Sequence, residues 1–64
     1  MNEQELLRLA EAGYESYRRD AGGVSLATGA KIPEWRHLAP RIQRAWCAAA
    51  RGIVSALRPV EESL

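Results

Sequence analysis

Cysteine and histidine each occur once in this chain of 64 residues, as Cys47 and His37. A single cysteine excludes a disulfide within the chain. One cysteine and one histidine also cannot furnish the four ligands of a structural zinc site. No stretch of about 18 consecutive apolar residues exists, which excludes a membrane-spanning helix. The start, Met1-Asn2-Glu3-Gln4-Glu5, is polar and acidic where a secretory signal is basic and then apolar. With a lone cysteine, this points to a reducing, cytoplasmic setting. Internal repeats and low-complexity tracts are missing too. The last absence is local: no acid stands between Trp35 and Val60, a stretch that holds five arginines.

The chain is long enough for one domain, and short enough that folding buries only about 60% of its surface. Scaffolds of this size rely on disulfides, a metal or a partner subunit. With the first two excluded, self-association is the expected source of extra stability. The net charge of +1 conceals an asymmetry. Residues 1–34 carry Glu3, Glu5, Glu11, Glu15, Asp20 and Glu34 against Arg8, Arg18, Arg19 and Lys31, a balance of −2. Residues 35–64 carry five arginines against Glu61 and Glu62, a balance of +3. An acidic half and a basic half can pair within the fold or between subunits.

Apolar residues at helical spacing define two main helices. The first begins at Asn2 or Glu3, with Asn2 as N-cap and Glu5 in the capping-box position. Leu6, Ala10, Gly13, Tyr14 and Tyr17 line one face, flanked by Leu7 and Leu9. Arg8, Glu11, Glu15, Arg18 and Arg19 form the opposite, solvated face. Gly22-Gly23 ends the helix. Gly13, on the buried side, costs about 1 kcal/mol relative to alanine, so a close backbone or the Trp46 ring is expected against it. Residues 22–32 hold three glycines and form an irregular loop, with Val24, Leu26 and Ile32 tucked beneath it as a lid. Pro33 opens a short helical turn to Leu38, with Trp35 and Leu38 facing the core, and Ala39-Pro40 starts the long helix. That helix runs to Leu57 or Arg58 and sets Ile42, Trp46, Ala49, Ile53 and Leu57 opposite Arg44, Arg51 and Arg58, with Arg41 at the border. The expected fold is all-α: a helical hairpin of two main helices, a short helical turn and a glycine-rich loop, paired into a helical bundle. Residues 1–58 make a single helical domain, and residues 59–64 a frayed tail.

Catalytic chemistry finds little to work with. A nucleophile needs a base, and the base needs an orienting group. His37 lies three residues after Glu34, the spacing of a surface pair, and Cys47 sits at the margin of the apolar stripe as a small hydrophobe. Arginines around Glu11 and Glu15 keep both ionised. The glycines at 22–23 and 29 lack the strand, helix and lysine of a phosphate loop. No cofactor or metal is implied, and the chain is not expected to be an enzyme. Its helix offers too alanine-rich a face for a membrane surface.

The arginine row carries the functional hint. Arg44, Arg51 and Arg58 recur every seven residues, and arginine forks onto carboxylate or phosphate with two parallel hydrogen bonds. Candidate partner-binding residues are therefore Trp35, Arg36, Arg41, Arg44, Arg51 and Arg58. Trp35 either caps the core or stands as an anchor. A protein partner, host-derived if the resemblance below holds, is the expected ligand of a homo-oligomer. DNA or RNA bound by Arg36, Arg41, Arg44, Arg51 and Arg58 is the alternative.

The residues Tyr14-Glu15-Ser16-Tyr17, Gly22 to Gly29, Ile32-Pro33-Glu34-Trp35-Arg36-His37-Leu38 and Ile42-Gln43-Arg44-Ala45-Trp46-Cys47-Ala48-Ala49-Ala50 resemble a group of small bacteriophage and prophage proteins. These share a tyrosine pair, a glycine-serine loop, P-x-W-x-x-L and A-W-x-x-A-A. The likeness covers about residues 10–50 and implies a phage or prophage origin with a small accessory role in the host cytoplasm. Trp35, Leu38, Trp46 and Ala49 also stand as in the HMG box. The chain departs from that family in having a glycine loop, no full middle helix and no basic N-terminal segment.

Overall fold

The structure, a computed structural model, is described over residues 1–58; the tail expected at 59–64 lies outside the described residues. Helix α1 spans Glu3–Asp20. At its start the Asn2 side chain accepts from the Glu5 N–H at 2.8 Å, while the Asn2 N–H donates to the Glu5 carboxylate at 3.2 Å. Two otherwise unpartnered N–H groups are thus satisfied reciprocally. At its end the Gly23 N–H donates to the Arg18 carbonyl at 2.9 Å and the Gly22 N–H to the Arg19 carbonyl at 3.0 Å. This double closure needs a left-handed residue, and Gly22 supplies it at φ +72°.

The glycine-rich loop is held by its own backbone. Val24 and Lys31 form an isolated antiparallel bridge, and the Ser25 N–H donates to the Ala30 carbonyl at 2.7 Å. It is not the lid expected of Val24, Leu26 and Ile32. Only Ile32 is buried, while Val24 is exposed and Leu26 is 87% exposed. The bridge turns the loop back on itself, so just its base at Ile32 returns to the core.

From Ile32 to Trp35 the chain is an extended strap across α1. Arg18 Nε donates to the Ile32 carbonyl at 3.0 Å, the Tyr14 hydroxyl to the Pro33 carbonyl at 2.6 Å, and the Trp35 N–H to Glu15 Oε2 at 3.0 Å. Glu15 and Arg18, expected on the solvated face, therefore serve the strap. An extended segment without a neighbouring strand leaves its polar backbone groups unpaired, and these side chains satisfy them. A 3₁₀ turn over Trp35–His37 follows, shorter than the turn expected from Pro33 to Leu38. Its acid, Glu34, pairs with Arg36 Nε at 3.0 Å. The surface pair expected between Glu34 and His37 is replaced by that contact.

Helix α2 spans Pro40–Leu57 and packs antiparallel on α1, with no side chain capping its start at Ala39. The described chain is thus an all-α helical hairpin. Leu6, Ala10 and Ala50 are buried together, with Trp35, Trp46 and Cys47 packed against them. The packed face of α2 is turned from the expected one: Trp46, Cys47, Ala50 and Val54 are buried or half-buried, while Ile42, Ala49, Ile53 and Leu57 are exposed. The aromatic rings decide that rotation. Trp46 meets Tyr14 edge-on at 5.3 Å between ring centroids and Tyr17 at 5.7 Å. Trp35 closes on Tyr14 at 5.8 Å. Such pairs add about 0.5–1.5 kcal/mol each beyond the area they bury. Gly13 has neither expected neighbour, since no atom lies within 4 Å of where its Cβ would stand.

Candidate interaction surfaces

Two surfaces of the hairpin remain uncovered, one on each side. The first is a groove of about 810 Å³ that runs from the start of α1 along α2, from Pro40 to Arg58. Its apolar lining comes from Leu6, Leu7, Cys47 and Val54, and Arg44, Arg51 and Arg58 edge it along α2. The arginines sit seven residues apart, or roughly 10 Å along a helix. Glu3 is the one acid in the described lining. Among the described residues the salt bridges are Arg18–Glu15 at 2.8 Å and Arg36–Glu34 at 3.0 Å, neither of which involves these three arginines. The acidic and basic halves therefore meet only locally, in Glu34 with Arg36, and no salt bridge joins α1 to α2 among the described residues.

The other candidate residues lie apart from this groove. Arg36 stands beside the strap with Glu11, Glu15, Glu34 and Trp35, its guanidinium on Glu34. Arg41 is exposed at the start of α2, outside the groove lining. Trp35 is half-buried against the core, and its carbonyl accepts from Gln43 Nε2 at 2.8 Å. Its part is to join the strap to both helices. Leu7, Cys47 and Val54 were not among the expected site residues. The four-three-four spacing of Gln43, Cys47, Ala50 and Val54, a heptad seam, is the signal that marks Cys47 and Val54.

The second surface is apolar. Because the helices are antiparallel, the flanks carrying Leu7 on α1 and Arg44 and Arg51 on α2 share the groove side. The opposite flanks, Leu9 and Gly13 on α1 with Ile42, Ala49 and Ile53 on α2, share the other. Ile53 is 63% exposed, Leu9 46% and Tyr17 43%. No charged residue falls between Ile42 and Ile53 on that flank of α2.

Electrostatics concentrate at the strap. The Trp35 N–H, followed by Arg18, holds the Glu15 carboxyl below its ordinary value, against the opposing effect of partial burial. Burial raises the Tyr14 hydroxyl above its ordinary value, an effect that Arg18 moderates. Both shifts favour the species the strap uses: an ionised acceptor and a neutral donor. No family model matches the chain, and no curated protein and no solved structure matches it significantly. No helix among the described residues is long and apolar enough to cross a membrane.

Proposed function

We propose that this chain is a non-catalytic protein-binding scaffold, a small accessory protein of the phage type working in a bacterial cytoplasm, and that it pairs with a second copy of itself. The observation that carries this reading is the apolar face formed by Leu9, Tyr17, Ile42, Ala49 and Ile53 on a hairpin whose own core is small. Two adjacent 18-residue helices, each about 27 Å long, present a side of roughly 500 Å². Two such sides together reach the ~1,000 Å² that a specific interface needs. Stacking them makes a four-helix arrangement and gives Gly13 the close neighbour that the described residues do not provide.

Sedimentation of the pure protein tests this directly. The wild type is expected at twice the mass of one chain. Ile53→Asp, at a position already exposed in the single hairpin, is expected as a single chain with its helical content kept. A wild type that sediments as one chain would sink the proposal.

The row of Arg44, Arg51 and Arg58, which makes no salt bridge among the described residues, favours a second reading, in which Arg36, Arg41, Arg44, Arg51 and Arg58 bind DNA or RNA. Pairing doubles the row, and binding of this kind weakens steeply with salt. Adding a mixed-sequence duplex to the same runs at two salt concentrations separates the readings. A salt-sensitive shift of the duplex favours nucleic acid.

A further inference from the structure

We infer that the groove edged by Arg44, Arg51 and Arg58 is the docking site for an acidic amphipathic helix of another protein. This rests on the scaffold reading and names the chemistry of its partner. The groove side of the hairpin is already half covered. Over Tyr14 the strap lies across both helices, anchored by Tyr14, Glu15, Arg18 and Gln43. Beyond Gln43 the strap is gone, and Leu6, Leu7, Cys47 and Val54 are left lining open space. The occupant continues the layer that the strap begins.

Charge, shape and backbone chemistry each narrow the choice. Three arginines with no described salt-bridge partner ask for carboxylates, and their seven-residue repeat matches acids two turns apart on a helix lying alongside. From Arg44 to Arg58 the edge runs about 21 Å, or roughly 14 residues of helix. A helix of that length laid along the groove spans the lining from Arg44 to Arg58. The apolar floor argues against a phosphate backbone, which has nothing to bury there. Both walls are helices whose backbone groups are spent internally, so an extended peptide would find no edge to pair with. A helix arrives with its own backbone satisfied. The self-pairing face lies on the opposite side, so the groove stays open in the pair.

Three labelled peptides of about 14 residues test this by fluorescence anisotropy against the full chain. The first is an amphipathic helix with a leucine face and glutamates seven apart. The second has lysines for those glutamates, and the third keeps the composition but scatters the leucines. The first is expected to bind, and the other two to bind at least about tenfold more weakly. In Arg44→Glu/Arg51→Glu the first peptide loses roughly tenfold or more, while the lysine peptide gains. That exchange shows the variant is folded. Equal binding of the glutamate peptide to both proteins, or no binding at all, overturns the inference, as does its displacement by a short duplex. Sedimentation of the same samples keeps the two proposals apart. Paired copies that ignore the peptide leave the scaffold reading standing without this site; unpaired copies remove the scaffold reading itself.

Discussion

At the connected end of the hairpin, Tyr14, Trp35 and Trp46 interlock with the strap through ring contacts and backbone hydrogen bonds; at the free end, Leu6, Ala10 and Ala50 meet with an open groove beside them. Both ends bury the same two helices, yet among the described residues only one is closed by the chain itself. The difference lies in side-chain size and backbone supply. Large rings reach from one helix to the other and still touch a third segment, whereas alanines bring the helices together and leave nothing to extend past them. A third layer at that end then has to come from outside the described residues.

Substitution at the two ends should separate them most sharply. Trp46→Ala removes the ring shared by Tyr14 and Tyr17 and is expected to cost about 3 kcal/mol, the lower end for a large aromatic in a core. Urea titration followed by circular dichroism would read it. Val54→Ala in the half-buried groove wall should cost no more than about 1 kcal/mol by the same titration. Comparable losses at both sites would mean the free end is as tightly closed as the connected one. Tyr14→Phe keeps the ring and strands the Pro33 carbonyl, now bonded at 2.6 Å, for an expected loss of about 1 kcal/mol. Ala39→Asp supplies the missing cap of α2 and should add about 0.5–1 kcal/mol.

A pH series sharpens the strap's part. The folded Glu15 carboxyl titrates below its ordinary 4.5, so its support is complete above that value and is lost as pH falls through the lower, folded one. Tyr14 titrates above its ordinary 10.0, so its support is complete below 10.0 and is lost as pH rises through the raised value. In Glu15→Gln the fall of the thermal midpoint on the acid side should flatten relative to wild type. An unchanged acid limb would mean Glu15 does not hold the strap in solution.

The helices were legible because their signals are local. Asn2 and Glu5 announce the start of α1, Gly22-Gly23 its end, and Pro40 the start of α2. The rotation of α2 was not, because periodicity ranks residues by apolarity and says nothing about which neighbour is bulky enough to capture them. Tyr14 and Tyr17 capture Trp46, and Ile53 swings outward as a result. The strap was hidden for a related reason. Glu15 and Arg18 look like a solvated ion pair from their spacing, and nothing in that spacing reveals the backbone of Ile32 to Trp35 lying across them. Of the arginine row, Arg44, Arg51 and Arg58 were found by their repeat; the apolar lining between them and α1 depends on that same rotation.

The strap also has a direction in time. Each of its hydrogen bonds to α1 joins residues 14–18 to residues 32–35, spans of 14 to 20 positions, and both sides precede α2 in the chain. As the chain folds, α1 and the strap can therefore latch before α2 docks, at the rate of a short loop closing. Trp46 then arrives at a socket of Tyr14 and Trp35 that is already in place, and the second helix docks on a template instead of searching for a partner.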